Sequence, residues 1–232
     1  MLTRNFPTGL NQSTLSRNRN HIRLIITGLA VFLFTAGLSA QDRFTAAIRK
    51  GITMMDSTAS SAANQETANY FERIANAEPG QWLAQYYTGL TLIYVGYDES
   101  KDRETRDLIF DKAMEFADKA DKLHPQNSDI YALKGYILFM KMAVAPQSRA
   151  MTMIPASNTL LEKAIALDPA NPRGYLLKGQ NLFYTPEAFG GGKEKAAVLL
   201  KQAAVIFETQ NNNGIEPSWG KRRCQSLLDK IN

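Results

Sequence analysis

From about residue 44 onward the apolar positions fall three and four residues apart, the spacing that gathers side chains on one face of a helix. The most regular stretch is Leu160 to Gly179, LLEKAIALDPANPRGYLLKG. Leu161 and Ala164 belong to the end of one helix, and Tyr175 and Gly179 to the start of the next. Between them Pro169 and Asn171-Pro172 form a break, because proline lacks the N–H and clashes with the preceding turn. Pro172 is suited to the first turn of the following helix, where that N–H is not needed.

This unit recurs. Ile74…Pro79, Ala120…Pro125 and Ala164…Pro169 end alike, and a glycine follows each proline ten residues later, at Gly89, Gly135 and Gly179. Prolines and glycines both step by 46 and then 44 residues. Upstream of the prolines, Thr67, Phe71 and Ile74 align with Ala113, Ala117 and Ala120, and with Ser157, Leu161 and Ala164. Ala196, Leu200 and Ala203 repeat the spacing a fourth time, with Glu208 in place of the proline. Self-similarity at such a period predicts stacked helix pairs, each burying the apolar face of its neighbour.

These residues resemble the tetratricopeptide repeat (TPR) family, whose unit of about 34 residues is a pair of antiparallel helices. Tyr131, Gly135 and Leu138, and again Tyr175, Gly179 and Leu182, match its first-helix pattern, and 157–169 best matches its second. The spacing departs from the family: glycine to the next proline is 36 and 34 residues here. The excess falls between the helices of a pair, at Tyr97–Glu104, Val144–Ala156 and Thr185–Lys193, all on one edge of the stack, either as inserted loop or in part as added helical turns.

At the ends the pattern is looser. Phe44, Ile48, Gly51, Ile52 and Met55 form an amphipathic helix, Asp56 to Asn64 its turn, and Gln65 to Ala77 the partner. After the break at Asn211-Asn212-Asn213-Gly214, a final helix is expected from Pro217 and Ser218. Trp219, Cys224, Leu227, Leu228 and Ile231 line its inner side, and Lys221, Arg222, Arg223, Asp229 and Lys230 face away. A helical array needs a terminal element with one polar face, and this helix suits that role.

The amino terminus changes the charge argument. Arg17, Arg19 and Arg23 precede an uncharged apolar run from Leu24 to Leu38, and Leu38-Ser39-Ala40 supplies small residues before Gln41. This reads as a secretory signal over 1–40 with cleavage after Ala40, and hence a periplasmic or otherwise exported protein. An uncleaved anchor in the inner membrane is the alternative, for which the run is short. The formal charge of +5 owes four arginines and no carboxylate to this segment. The remainder is nearly neutral, which leaves no electrostatic footprint for nucleic acid. Cys224 is the single cysteine. It forms no internal disulfide, and apolar packing alone must hold the fold.

Chemistry-bearing residues are sparse. With His21 in the signal, His124 is the only histidine left, at a turn the repeat requires anyway. No His/Cys cluster suits a metal, and the carboxylates Asp107, Asp111, Glu115 and Asp118 interleave with lysines as a solvated helix face does. The pairs Met140/Met142 and Met151/Met153 offer soft ligands, but methionine also fills irregular apolar gaps. Phe189-Gly190-Gly191-Gly192-Lys193-Glu194-Lys195 admits two readings. One is an anion turn formed by Gly190, Gly191, Gly192, Lys193 and Lys195; the other is a tight turn that needs glycine for positive φ. Glu194 stands where a phosphate-binding loop would carry Ser or Thr, and no strand precedes it.

The resemblance implies a concave face lined by the first helices. By register this places Tyr86, Leu90, Tyr94, Tyr136, Phe139, Leu176, Gln180, Phe183 and Tyr184 in a groove. The lysine and asparagine with which chaperone-binding members clamp a peptide carboxylate have no counterpart there. The reading is an all-α solenoid of about four TPR-like helix pairs over 41–208, with a linker and capping helix over 209–232. Its expected role is a non-enzymatic scaffold without cofactor or metal, docking a protein or peptide through the aromatic groove and inserted loops. The alternative is a periplasmic binder of a small ligand or ion serving a transporter.

Overall fold

The computed structural model describes residues 40–57, 60–210 and 213–231. The signal-peptide reading falls, except for Ala40, outside the described residues. The chain divides into two compact units, 1–46 and 47–232. Of the first, residues 40–46 are described, as the opening turns of a helix over 40–57.

The described residues are helical throughout, without a strand. We label the helix over 40–57 α1. It is followed by α2 (Ser61–Ala77), α3 (Trp82–Gly96), α4 (Arg103–Leu123), α5 (Ser128–Val144) and α6 (Pro146–Leu167). Then come α7 (Pro172–Tyr184), a 3-10 turn at Glu187–Phe189, α8 (Lys193–Thr209) and α9 (Lys221–Asp229). Within the second unit each helix packs on the next, and α3, α5 and α7 also pack side by side. That is the neighbour-to-neighbour stacking of an α-solenoid, with the first helices of successive pairs forming one layer.

The sequence register appears directly in the packing. Ala113, Ala117 and Ala120, Ser157, Leu161 and Ala164, and Ala196, Leu200 and Ala203 are all fully buried. Each facing glycine is where two backbones meet. A Cβ at Gly89 would lie 3.1 Å from the Ala113 carbonyl; at Gly135, 2.8 Å from Leu161; at Gly179, 2.9 Å from Leu200. The joints between pairs repeat as well. The N–H groups of Glu78, His124 and Asp168 close on the carbonyls of Ile74, Ala120 and Ala164. Asn127 and Asn171 then cap the next helix through their side chains, accepting from the N–H groups of Ile130 and Arg173, which satisfies donors no helix can pair internally.

Two expectations are corrected. Val144–Ala156 is not a loop: Ala145 alone joins α5 to α6, and Pro146 sits in the first turn of a 22-residue helix. Pro155 lies inside that helix, where it leaves the Met151 carbonyl without its usual donor. Arg149 clamps the added turns onto α4 with two 2.6 Å hydrogen bonds to the Asp107 carboxylate, which holds that carboxyl below its ordinary range. The last helix begins at Lys221 rather than Pro217, because Gly220 enters it at φ +115° with no room for a side chain against Leu176 and Phe207.

Candidate functional site

The C-terminal segment decides what the concave face can do. Residues 213–223 run over the layer formed by α3, α5 and α7 instead of only closing its end. The Tyr87 hydroxyl donates to the Ile215 carbonyl at 2.9 Å, and the Trp219 indole N–H donates to the Tyr86 hydroxyl at 2.8 Å. The Trp219 ring stacks on Tyr136 with centroids 5.9 Å apart. Arg223, expected on the solvent face of α9, turns inward. Its Nε donates to Gln180 Oε1, and its guanidinium lies 5.7 Å from the Tyr97 ring and 5.5 Å from that of Tyr136.

The groove residues therefore separate into three groups. Tyr86, Leu90, Tyr136, Leu176 and Gln180 are at most 1% exposed, as core beneath this segment. Tyr94 and Tyr136 border a hollow of about 360 Å³ whose other walls are Met55, Asp56, Trp219 and Arg222. Phe139 and Tyr184, rings 5.9 Å apart, lie on a different cleft. Phe183 packs edge-on against Tyr184 at 5.0 Å. Burial pushes the Tyr136 and Tyr97 phenols above their ordinary range, against the pull of the Arg223 guanidinium, so both remain neutral and share one hydroxyl–hydroxyl hydrogen bond.

The glycine turn has the backbone conformation that calls for glycine. Gly190 and Gly192 adopt φ +86° and +114°, which L side chains seldom tolerate. A Cβ on Gly191 would collide with the Thr185 carbonyl. The N–H groups of Gly190, Gly191 and Gly192 go to the carbonyls of Glu187, Pro186 and Leu182. Lys193 Nζ donates to the Lys230 carbonyl and Lys195 Nζ to that of Gly190. The three glycine N–H groups are thus engaged within the chain, and the turn places Phe189, 71% exposed.

What that turn places is one wall of a cleft of about 610 Å³, between the C-terminal end of α5, the added turns of α6 and the α7–α8 connection. Phe139, Met140, Met142, Pro146, Ile154 and Phe189 form its apolar surface. A further apolar hollow of about 380 Å³ continues past Pro146 and Phe189 to Met151 and Pro155. The charged residues at the cleft are Arg106, Arg223 and the exposed Glu99. Size and lining fall in the range of small-ligand sites, about 300–1,000 Å³ and mostly apolar with a few polar groups.

Most of this cleft was not singled out from sequence. The insertions were placed on one edge, but Pro146 and Ile154 read as loop and Arg223 as solvent-facing. The available signal was the concentration of proline, methionine and phenylalanine in two insertions, which a solvated loop does not need. His124 stands apart, edge-on to Trp82 at 5.0 Å in the α4–α5 joint. Among the described residues no group of three His, Cys, Asp or Glu side chains converges, and no helix is long and apolar enough to cross a membrane.

No family model matches the sequence, and no curated protein does. Similar solved structures include a haemophore and a TPR protein. The HusA haemophore from Porphyromonas gingivalis is 28% identical, with a TM-score of 0.73 over 82% of this chain and 92% of its own. A thermophilic TPR protein of Thermus thermophilus is 17% identical, with a TM-score of 0.59 over 81% and 80%. The fold is therefore a TPR-like helical repeat, and along most of its length it is similar to that of a haemophore.

Proposed function

We propose that this chain is an exported, non-enzymatic binding protein that takes haem, or a porphyrin of the same shape, in the cleft between α5, α6 and α7. The observation that carries the reading is the cleft itself: an apolar slot built by proline, methionine and aromatic side chains, with arginine among its polar groups. Haem is a flat apolar plate with an acidic edge, and a slot of that character removes the plate from water while leaving the edge near cations. Likeness to a haemophore over 82% of this chain and 92% of the other supports the same ligand class. Met140 and Met142 and the phenols of Tyr97 and Tyr184 are the cleft groups able to approach a bound iron. A peptide laid along the concave face, the other role a repeat fold suggests, would first have to displace Trp219 from Tyr136.

The test is a titration of haemin into the chain from residue 41 onward, followed by its visible absorption and by tryptophan fluorescence. We expect a saturable change at one equivalent and its loss on filling the slot with Ala150→Trp. At a ligand concentration about 100 times the dissociation constant, binding adds about 2.7 kcal/mol to stability, visible as a raised melting temperature. A flat titration at micromolar protein would end the proposal.

A further inference from the structure

Resting on the porphyrin reading, we infer that Arg106 and Arg223 form a carboxylate-binding end of the cleft, so that the chain selects porphyrins by two free acid groups and seats them with that edge toward the C terminus of α3.

Both arginines line the cleft and both are anchored at consecutive residues. Arg106 Nε donates to the Gly96 carbonyl at 3.0 Å, and Arg223 lies over the ring of Tyr97. Carbonyls at the end of α3 carry the negative end of the helix dipole, which holds a cation there without neutralising it. Neither arginine forms an ion pair with a carboxylate among the described residues. The nearest acid to Arg106 along the chain, Asp107, is engaged bidentately by Arg149. Glu99 is exposed and keeps its water.

Arg223 is the more telling of the two. It is half-buried, and its partners are an amide oxygen and two neutral phenol rings. A guanidinium withdrawn from water with no counter-charge bears a desolvation cost that ring faces offset only in part. An incoming carboxylate supplies the missing charge, in the paired geometry guanidinium groups favour. The rest of the slot is of opposite character. Pro146, Ala150, Ile154, Pro186 and Phe189 continue into the second apolar hollow, which neither arginine borders. A ligand with one acidic edge and one apolar edge therefore has a single favourable orientation.

The experiment compares haemin with its dimethyl ester, on the wild-type chain, on R106Q, R223Q and R223K, and on the double variant R106Q/R223Q. We expect R106Q and R223Q each to weaken haemin by about tenfold, the scale of a charge-assisted hydrogen bond. The ester should bind the wild type about as weakly as haemin binds the double variant, and should be insensitive to either substitution. R223K, which keeps the charge but not the fork, should lie between wild type and R223Q. Because the ester reads the apolar slot alone, it also reports whether a variant is folded; if R223Q is not, R106Q decides. Equal affinity of the wild type for acid and ester, or folded variants that bind haemin as tightly as the wild type, would overturn the inference while leaving porphyrin binding intact. Failure of the wild type to bind either ligand would instead remove the porphyrin reading and this inference with it.

Discussion

Among single residues, the small ones record the fold most plainly. Gly135 faces Leu161 and the Ser157 carbonyl so closely that a methyl group would collide. The Ser157 hydroxyl returns to the Gly135 carbonyl at 2.7 Å, so two polar groups in the core satisfy one another. Cys224 is held in a similar way. It is 1% exposed, donates weakly to the Leu200 carbonyl at 3.2 Å, and burial pushes its thiol up to about 11. A thiol held protonated and out of solvent is a poor nucleophile. The native protein at pH 8 should leave a disulfide reagent such as DTNB unreacted over minutes, and should titrate one thiol after unfolding. Rapid reaction of the native state would contradict this placement. The sequence already marked Cys224 as a small buried residue, because it shares one side of an amphipathic helix with Leu227. Arg223 was not legible: the position just before Cys224 on the same helix reads as solvent-facing by periodicity, and only Tyr97, Tyr136 and Gln180 draw it inward.

At the scale of elements, helix pairs and joints were readable because they depend on local rules. Proline ends a helix, asparagine caps the next, and small residues set the closest approach. The insertions were harder. Residues 146–156 have two prolines and read as a loop, yet Pro146 suits a first helical turn, and Arg149 ties these turns to α4 through Asp107. The C-terminal segment is a strap as well as a cap, and its anchor is Trp219. Replacing Trp219 by Ala removes a stacked ring and the indole hydrogen bond to Tyr86. Complete burial of such a side chain is worth about 3–5 kcal/mol, and partial exposure here reduces the expected loss to about 2. Urea unfolding followed by circular dichroism measures it; a change below about 0.5 kcal/mol would mean that the strap does not hold the concave face.

At the scale of the whole molecule, acid should unfold the protein through its aspartates. Hydrogen bonds hold three of them below the ordinary carboxylate range: Asp98 through Lys101, Ser100 and Ser61, Asp102 through Thr105, and Asp107 through Arg149. A carboxylate whose folded pKa is depressed contributes stability that is fully present above its unfolded value, about 4, and is lost as pH falls through the folded value. The urea midpoint should therefore drop steadily from pH 5 to pH 3, and Asp107→Asn should flatten part of that drop while lowering stability at pH 7 by about 1 kcal/mol. A midpoint that stays level or rises over the same interval would contradict the assignment.

The sequence by itself determined the all-helical repeat, because periodic apolar positions, prolines and glycines act within a turn or between adjacent helices. Tertiary structure alone decided where a ligand could enter. Whether Tyr86, Tyr136 and Gln180 face solvent depends on a segment more than 120 residues beyond the first of them, Tyr86. That contact has no local signature. The cleft is assembled the same way, from the ends of α5 and α7, the start of α6, a glycine turn and one arginine of α9, each ordinary on its own. A repeat pattern specifies neighbours; the departures from it, brought together along one edge, specify the site.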